Sequence, residues 1–248
     1  MASNKNQHFV PRCYLRPFTT EQSDRAINLY NIDRQKTITG APLKHQCSGD
    51  YFYGKDEQLE AGIQAVESGY AAAVKLILSP GYKLTDEHRS LLKVFWLMQR
   101  LRTEAASRRS VEMSEAMRNV IGVEGDPFRM EIKEAVQIAM RTFAESMGIL
   151  NDLKVALVRN RTGVPFLTSD DPAVLTNRWH LHNSRRLGRT FGLQSAGDVM
   201  LLPISPSVLC LAYDGDVHSI SHSGGWADLK SDADADALNQ HQWTWSNF

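Results

Sequence analysis

The 248-residue chain predicts an α+β protein: an antiparallel sheet built from N- and C-terminal β zones, packed against a central block of long helices. Three observations predict it. Residues 8–54 carry short alternating segments. Residues 55–148 carry long stretches with helical spacing. Residues 153–248 return to strand patterns and close on a helix. Strands, helices and strands in that order differ from the alternating βαβ arrangement of parallel sheets. The length suits a single domain over 1–248 with a sizeable core.

In the first zone, Ala26-Ile27-Asn28-Leu29-Tyr30-Asn31-Ile32 alternates apolar and polar residues, as a half-buried strand does. Thr37-Ile38-Thr39-Gly40 and Asp50-Tyr51-Phe52-Tyr53-Gly54 read as short β or turn segments. The second zone opens with an Ala-, Glu- and Leu-rich stretch, Gln58 to Leu78, stopped by Ser79-Pro80-Gly81. Thr85 then suits an N-cap, and Asp86 and Glu87 suit the positive end of a long helix. Leu91, Phe95, Met98 and Leu101 give that helix an apolar stripe. Gly122 to Pro127 interrupts the pattern, and a third helix is predicted over about Phe128 to Met147. In the third zone, Lys154–Val158, the turn Asn160-Arg161-Thr162-Gly163 and Val164–Thr168 predict a hairpin. Met200–Ile204 and Val208–Tyr213 predict a second strand pair, and Asp232 to Trp243 a final helix.

Composition narrows the function classes. Hydrophobic residues make up 42% and charged residues 23%, which argues against disorder. Lys plus Arg number 28 and so do Asp plus Glu, which disfavours a globally basic nucleic-acid binder but leaves room for a local basic face such as the loop Asn183–Arg189. Three widely spaced cysteines, Cys13, Cys47 and Cys210, predict a reduced, cytoplasmic setting without a disulfide scaffold. No apolar leader and no membrane-spanning run is evident.

Three constellations could carry chemistry. The densest is His8-Phe9-Val10-Pro11-Arg12-Cys13-Tyr14-Leu15-Arg16-Pro17-Phe18. His8 can exchange a proton near neutral pH, and Arg12 and Arg16 offer forked donors that match phosphate or carboxylate oxygens. A structural reading stands beside it, in which His8 bonds a carbonyl and the arginines brace the N-terminus. The second is Thr168-Ser169-Asp170-Asp171-Pro172, at the end of an apolar strand. There Asp170 would orient His8, hold a divalent metal or act as a base, and the alternative is an Asx turn before Pro172. The third is Gln99-Arg100-Leu101-Arg102-Thr103. Gln99 and Arg102 share a helix face, as do Glu60 and Glu67 on the preceding helix. Arg102 paired with Glu67 would be a buried bridge or the floor of a polar cleft. No phosphate-loop, dinucleotide or zinc-protease motif occurs, and His180-Leu181-His182 lacks companion ligands.

The opening Gln7-His8-Phe9-Val10-Pro11-Arg12-Cys13-Tyr14-Leu15-Arg16-Pro17-Phe18 resembles that of the domain of unknown function 4238 family, QHxVPRxYLxxF. Asp50–Tyr53, Gln99–Thr103, Phe166–Pro172, Leu202–Pro206 and Leu238-Asn239 are similar to later motifs of that family, in order. Asp171 departs from it, standing where Asn or His is common. The resemblance implies a bacterial, cytosolic protein of a family of unknown function, and the sequence ends soon after the Leu238-Asn239 helix, where the family pattern leads one to expect a further strand. It carries no catalytic assignment. It also implies that His8, Arg12, Arg102 and Asp170 converge.

The expectation is a phosphate-directed enzyme, a nuclease or nucleotide-processing effector of the toxin or phage-defence type, with nucleic acid or a nucleotide as partner. His8, Arg12 and Asp170 would be catalytic, and Arg16, Arg102, Gln99, Glu67 and Ser169 would bind substrate. The alternative is a non-catalytic module for an anionic ligand or a protein, its motifs bracing the fold.

Overall fold

The computed structural model describes residues 5–20, 25–121, 131–177 and 193–245. Short strands β1 (Asn6–His8) and β4 (Ser48–Asp50) pair antiparallel, His8 opposite Ser48. Between them lie α1 (Arg12–Leu15), continued by a 3-10 turn at Arg16–Phe18, and the hairpin of β2 (Ala26–Asn31) and β3 (Lys36–Pro42). Helix α2 (Glu57–Ile77) starts at Asp56, whose carboxylate accepts from the Gln58 and Leu59 amides. Helix α3 (Asp86–Arg102) starts at Thr85, whose hydroxyl accepts from the His88 amide at 3.2 Å. Helices α4 (Glu104–Ile121) and α5 (Ile132–Ser146) complete the helical block.

The main sheet follows: β5 (Leu153–Asn160), β6 (Val174–Asn177), β7 (Asp198–Ser205), β8 (Val208–Asp214) and β9 (Trp226–Leu229), in the order β6-β7-β8-β5-β9. Neighbours are antiparallel except β5 and β9, which run parallel with Leu157 opposite Trp226. Helix α6 (Asp232–Trp245) closes the described chain.

Side-chain alternation divides this sheet between two cores. Val155, Leu157, Met200, Leu202 and Ile204 join the larger cluster with Tyr14 of α1, Tyr70 of α2 and Phe95 of α3. The intervening Val158, Leu201 and Leu209 face a second cluster with Phe166 and, from α6, Leu238. Trp96 ties α3 to the sheet by donating its indole N–H to the Leu201 carbonyl at 3.1 Å.

The α+β class holds, with three corrections to the predicted connections. First, the two β zones stay apart: β1–β4 and β2–β3 are separate two-stranded sheets. Strand β3 is exposed at six of its seven residues, so its hairpin has little apolar face to lay on a larger sheet. Strand β5 is also flanked on both sides, by β8 and β9. Second, Val164–Thr168 does not pair with Lys154–Val158. The Asn160 turn forms, its side chain accepting from the Thr162 amide at 2.9 Å. Beyond it Pro165 has no amide to donate, Phe166 donates to the Pro206 carbonyl and Leu167 to the Asn239 side chain. Third, the long helix after Thr85 breaks at Thr103, which is extended (φ −73, ψ 157). Its hydroxyl accepts from the Ala106 amide at 3.1 Å and so caps α4.

The predicted break at Gly122–Pro127, the start of the third helix at Phe128, the basic run Asn183–Arg189 and the His180/His182 pair lie outside the described residues. Among the described residues, no helix is long and apolar enough to cross a membrane.

Candidate functional site

The segment Gln7–Phe18 threads between β4, α2 and α3, and its main chain is held by side chains from both helices. Buried Gln7 accepts from the Tyr53 amide at 2.6 Å and donates to the Gly54 carbonyl at 2.9 Å and to Glu60 Oε1. Arg102 is wholly buried at the C-terminal end of α3. Its Nε donates to the Phe9 carbonyl at 2.9 Å, Nη2 to the His8 carbonyl at 3.2 Å and Nη1 to Glu67 Oε1 at 2.8 Å. Gln99, one turn earlier, donates to the Phe9 carbonyl at 3.4 Å. The guanidinium fork suits this task because its fixed donors reach two carbonyls and a carboxylate at once.

Held this way, the segment forms one wall of a cleft whose other wall is α2. A cavity of about 330 Å³ is lined by His8, Arg12, Cys13, Gln64, Glu67 and Ser68, among others. An adjoining cavity of about 270 Å³ shares His8, Gln64 and Glu67 and adds Asn6, Tyr53 and Glu60. Gln64 lies four residues after Glu60, and Glu67 and Ser68 lie three and four after Gln64, so a single stripe of α2 supplies the helical wall.

The electrostatics of the cleft are uneven. Burial lowers the pKa of His8 from its ordinary value, and the adjacent Arg12 charge adds to this. The Glu67 carboxylate and a hydrogen bond to the Lys44 carbonyl act in the opposite direction. The imidazole is therefore neutral at neutral pH. Its Nε2 is buried and has no hydrogen-bond partner among the described residues. Arg12 is exposed and makes no ion pair among the described residues. Burial pushes the Cys13 thiol up to about 11, with Glu67 adding, so it stays protonated at neutral pH.

The second constellation lies elsewhere. Asp171, with no exposure, accepts from the Thr103 hydroxyl at 2.7 Å and from Arg109 Nη1 at 2.6 Å. Ser169 donates to Gln242 of α6 at 2.9 Å. Asp170 is exposed and lines neither cavity. The two motifs meet at Tyr14, whose hydroxyl bonds that of Thr168 at 2.7 Å.

The structure thus brings His8, Arg12 and Glu67 to one cavity, with Arg102 and Gln99 buried behind it. Asp170, Ser169 and Arg16 stand apart, and Arg16 is exposed on the 3-10 turn. Among the described residues, no group of three His, Cys, Asp or Glu side chains is placed to hold a metal, at Asp170 or elsewhere. Gln64, Ser68 and Cys13 were not anticipated as lining residues. Their signal was the α2 stripe around Glu60 and Glu67 and the position of Cys13 next to Arg12.

The family described as "Protein of unknown function (DUF4238)" matches residues 6–247, nearly the whole chain. No curated protein and no solved structure matches.

Proposed function

The chain belongs to this family of proteins of unknown function, and we propose that the cleft between Gln7–Phe18 and α2 is the active site of a phosphate-directed enzyme, a nuclease or nucleotide-processing hydrolase. One observation carries the reading: a neutral imidazole with an unpartnered nitrogen lines the same cavity as an arginine that makes no ion pair among the described residues. Arg12 holds the phosphate and balances charge that develops on it. Neutral His8 takes the proton of an attacking water as the new P–O bond forms and the bond from phosphorus to the leaving oxygen breaks, the leaving oxygen taking its proton from solvent. Glu67 stabilises the imidazolium that results. It replaces Asp170 in that role because it lines the same cavity, and Arg102 fixes one of its oxygens. Arg102 and Gln99 support the site by holding the main chain that carries His8, without themselves reaching the substrate.

A second reading rests on the same cavity. Arg102, Gln99, Gln7 and Tyr14 are all spent on bracing the fold, which suits a binding module for an anionic ligand without turnover. The deciding experiment compares wild type, His8→Ala and Arg12→Ala on RNA, DNA and nucleotide substrates, with matched melting temperatures. The enzyme reading expects a loss of about 100-fold or more in turnover for His8→Ala, the scale of general acid–base catalysis. Equal turnover in the folded His8→Ala protein would sink it. Phosphate binding that depends on Arg12, with no turnover in wild type, would leave the binding module.

A further inference from the structure

The two halves of the cleft differ in chemistry, and the difference concerns the ligand. The end lined by Arg12 is cationic. The other end is lined by Glu60, Asn6 and Tyr53, and Glu67 lies where the halves meet. Each glutamate is committed at one oxygen only. Glu60 Oε1 accepts from Gln7 and Glu67 Oε1 from Arg102, while neither Oε2 has a hydrogen-bond partner among the described residues. Gln7 is neutral, so no cation among the described residues offsets Glu60 within the cleft.

A ligand that fills both halves must therefore satisfy two opposite demands. It places one anionic group at Arg12, and it presents hydrogen-bond donors, hydroxyl or amino, along Glu67 and Glu60. A second phosphate next to the first would face Glu60, whose charge no cation among the described residues of the cleft offsets, whereas Glu67 is paired with Arg102, and would be repelled. The volumes suit a small molecule. Resting on the phosphate-directed reading above, we infer that the ligand is a single-phosphate monoester with a donor-rich body, of the nucleoside monophosphate or sugar phosphate kind, and that Glu60 is the residue that selects that body. A polynucleotide, which repeats its phosphates, is disfavoured by the same Glu60 carboxylate.

Calorimetric titration of the full chain tests this with inorganic phosphate, ribose 5-phosphate, adenosine and guanosine 5′-monophosphates, and a short oligonucleotide. At least one monoester is expected to bind about tenfold or more tighter than inorganic phosphate, the value of one good hydrogen bond to a charged group. Ribose 5-phosphate matching the nucleotides would make the sugar hydroxyls the recognised group. Nucleotides binding tighter than ribose 5-phosphate would make it the base. Glu60→Gln keeps an acceptor for Gln7 and is expected to abolish the monoester's advantage, leaving inorganic phosphate within about threefold. Monoesters no tighter than inorganic phosphate, an advantage that survives Glu60→Gln, or an oligonucleotide that outcompetes all monoesters would each overturn the inference while leaving the phosphate site standing. Absence of phosphate binding, or binding indifferent to Arg12→Ala, would remove the underlying reading as well.

Discussion

Arg102 Nε lies 2.9 Å from the Phe9 carbonyl oxygen, a hydrogen bond between residues 93 apart in the chain. The same guanidinium reaches the His8 carbonyl and the Glu67 carboxylate, so one buried side chain sets the N-terminal segment against α2.

Arg102→Ala is therefore expected to cost about 3 kcal/mol, because the partly buried Glu67 carboxylate loses its cation and the His8 and Phe9 carbonyls keep only the Tyr53 hydroxyl and the Gln99 amide as side-chain donors. Arg102→Lys is expected to cost roughly half as much, since an ammonium keeps the charge but cannot span the same three acceptors. Urea unfolding at constant m-value measures both. A neutral result for Arg102→Ala would mean that the segment does not depend on this bridge.

His8 gives a pH dependence whose sign can be worked out. Its folded pKa lies below the unfolded value. As pH falls through about 6.5, the unfolded chain takes up a proton that the folded chain still refuses. Stability contributed by neutral His8 is therefore complete above that pH, declines below it, and levels off under the folded pKa. His8→Gln should show a shallower loss of stability on acidification across this window. His241, also lowered by burial, titrates in both proteins and cancels from the comparison. Identical slopes would mean that the His8 ring titrates normally.

Arg12 is the second cause of the His8 shift, after burial. Arg12→Ala should raise the His8 pKa toward its ordinary value, as read by NMR titration of the imidazole. The acid limb of any activity profile should move to higher pH with it. An unmoved titration curve would separate Arg12 from the imidazole electrostatically.

Asp170 and Asp171 are neighbours with opposite expected phenotypes. Asp171→Ala should destabilise by about 3 kcal/mol, since it removes a fully buried carboxylate that accepts from the buried Thr103 hydroxyl and from Arg109 Nη1. Asp170→Ala should stay within about 0.5 kcal/mol, as exposed substitutions usually do. Comparable losses in the two urea midpoints would contradict the buried role of Asp171.

Much of the fold is legible in local pattern because its causes are local. Thr85 caps its helix through its own side chain. Ser79-Pro80-Gly81 lies just beyond the end of α2, and the spacing of Glu60 and Glu67 puts both on one face. The strands of residues 198–214 pair across the two-residue turn at Pro206-Ser207. These features follow from helical and strand periods and from short-range capping, which a sequence carries directly.

The failures share a different cause. Whether Lys154–Val158 pairs with Val164–Thr168 or with β8 and β9 is a competition among distant ladders, and the longer register along β8 wins. Thr103, where α3 breaks, donates its hydroxyl to Asp171, 68 residues away, a partner that no local pattern announces. Which of Asp170 and Asp171 turns inward is set on an irregular segment, where no period assigns a face.

By itself the sequence determined the three zones, the starts of α2, α3 and α6 and the side chains of the Gln7–Phe18 wall. The tertiary structure alone decided that His8 and Arg12 share a cavity with Glu67 rather than with Asp170. That choice rests on Arg102, whose buried donors find the His8 and Phe9 carbonyls only after α3 packs against the N-terminal segment.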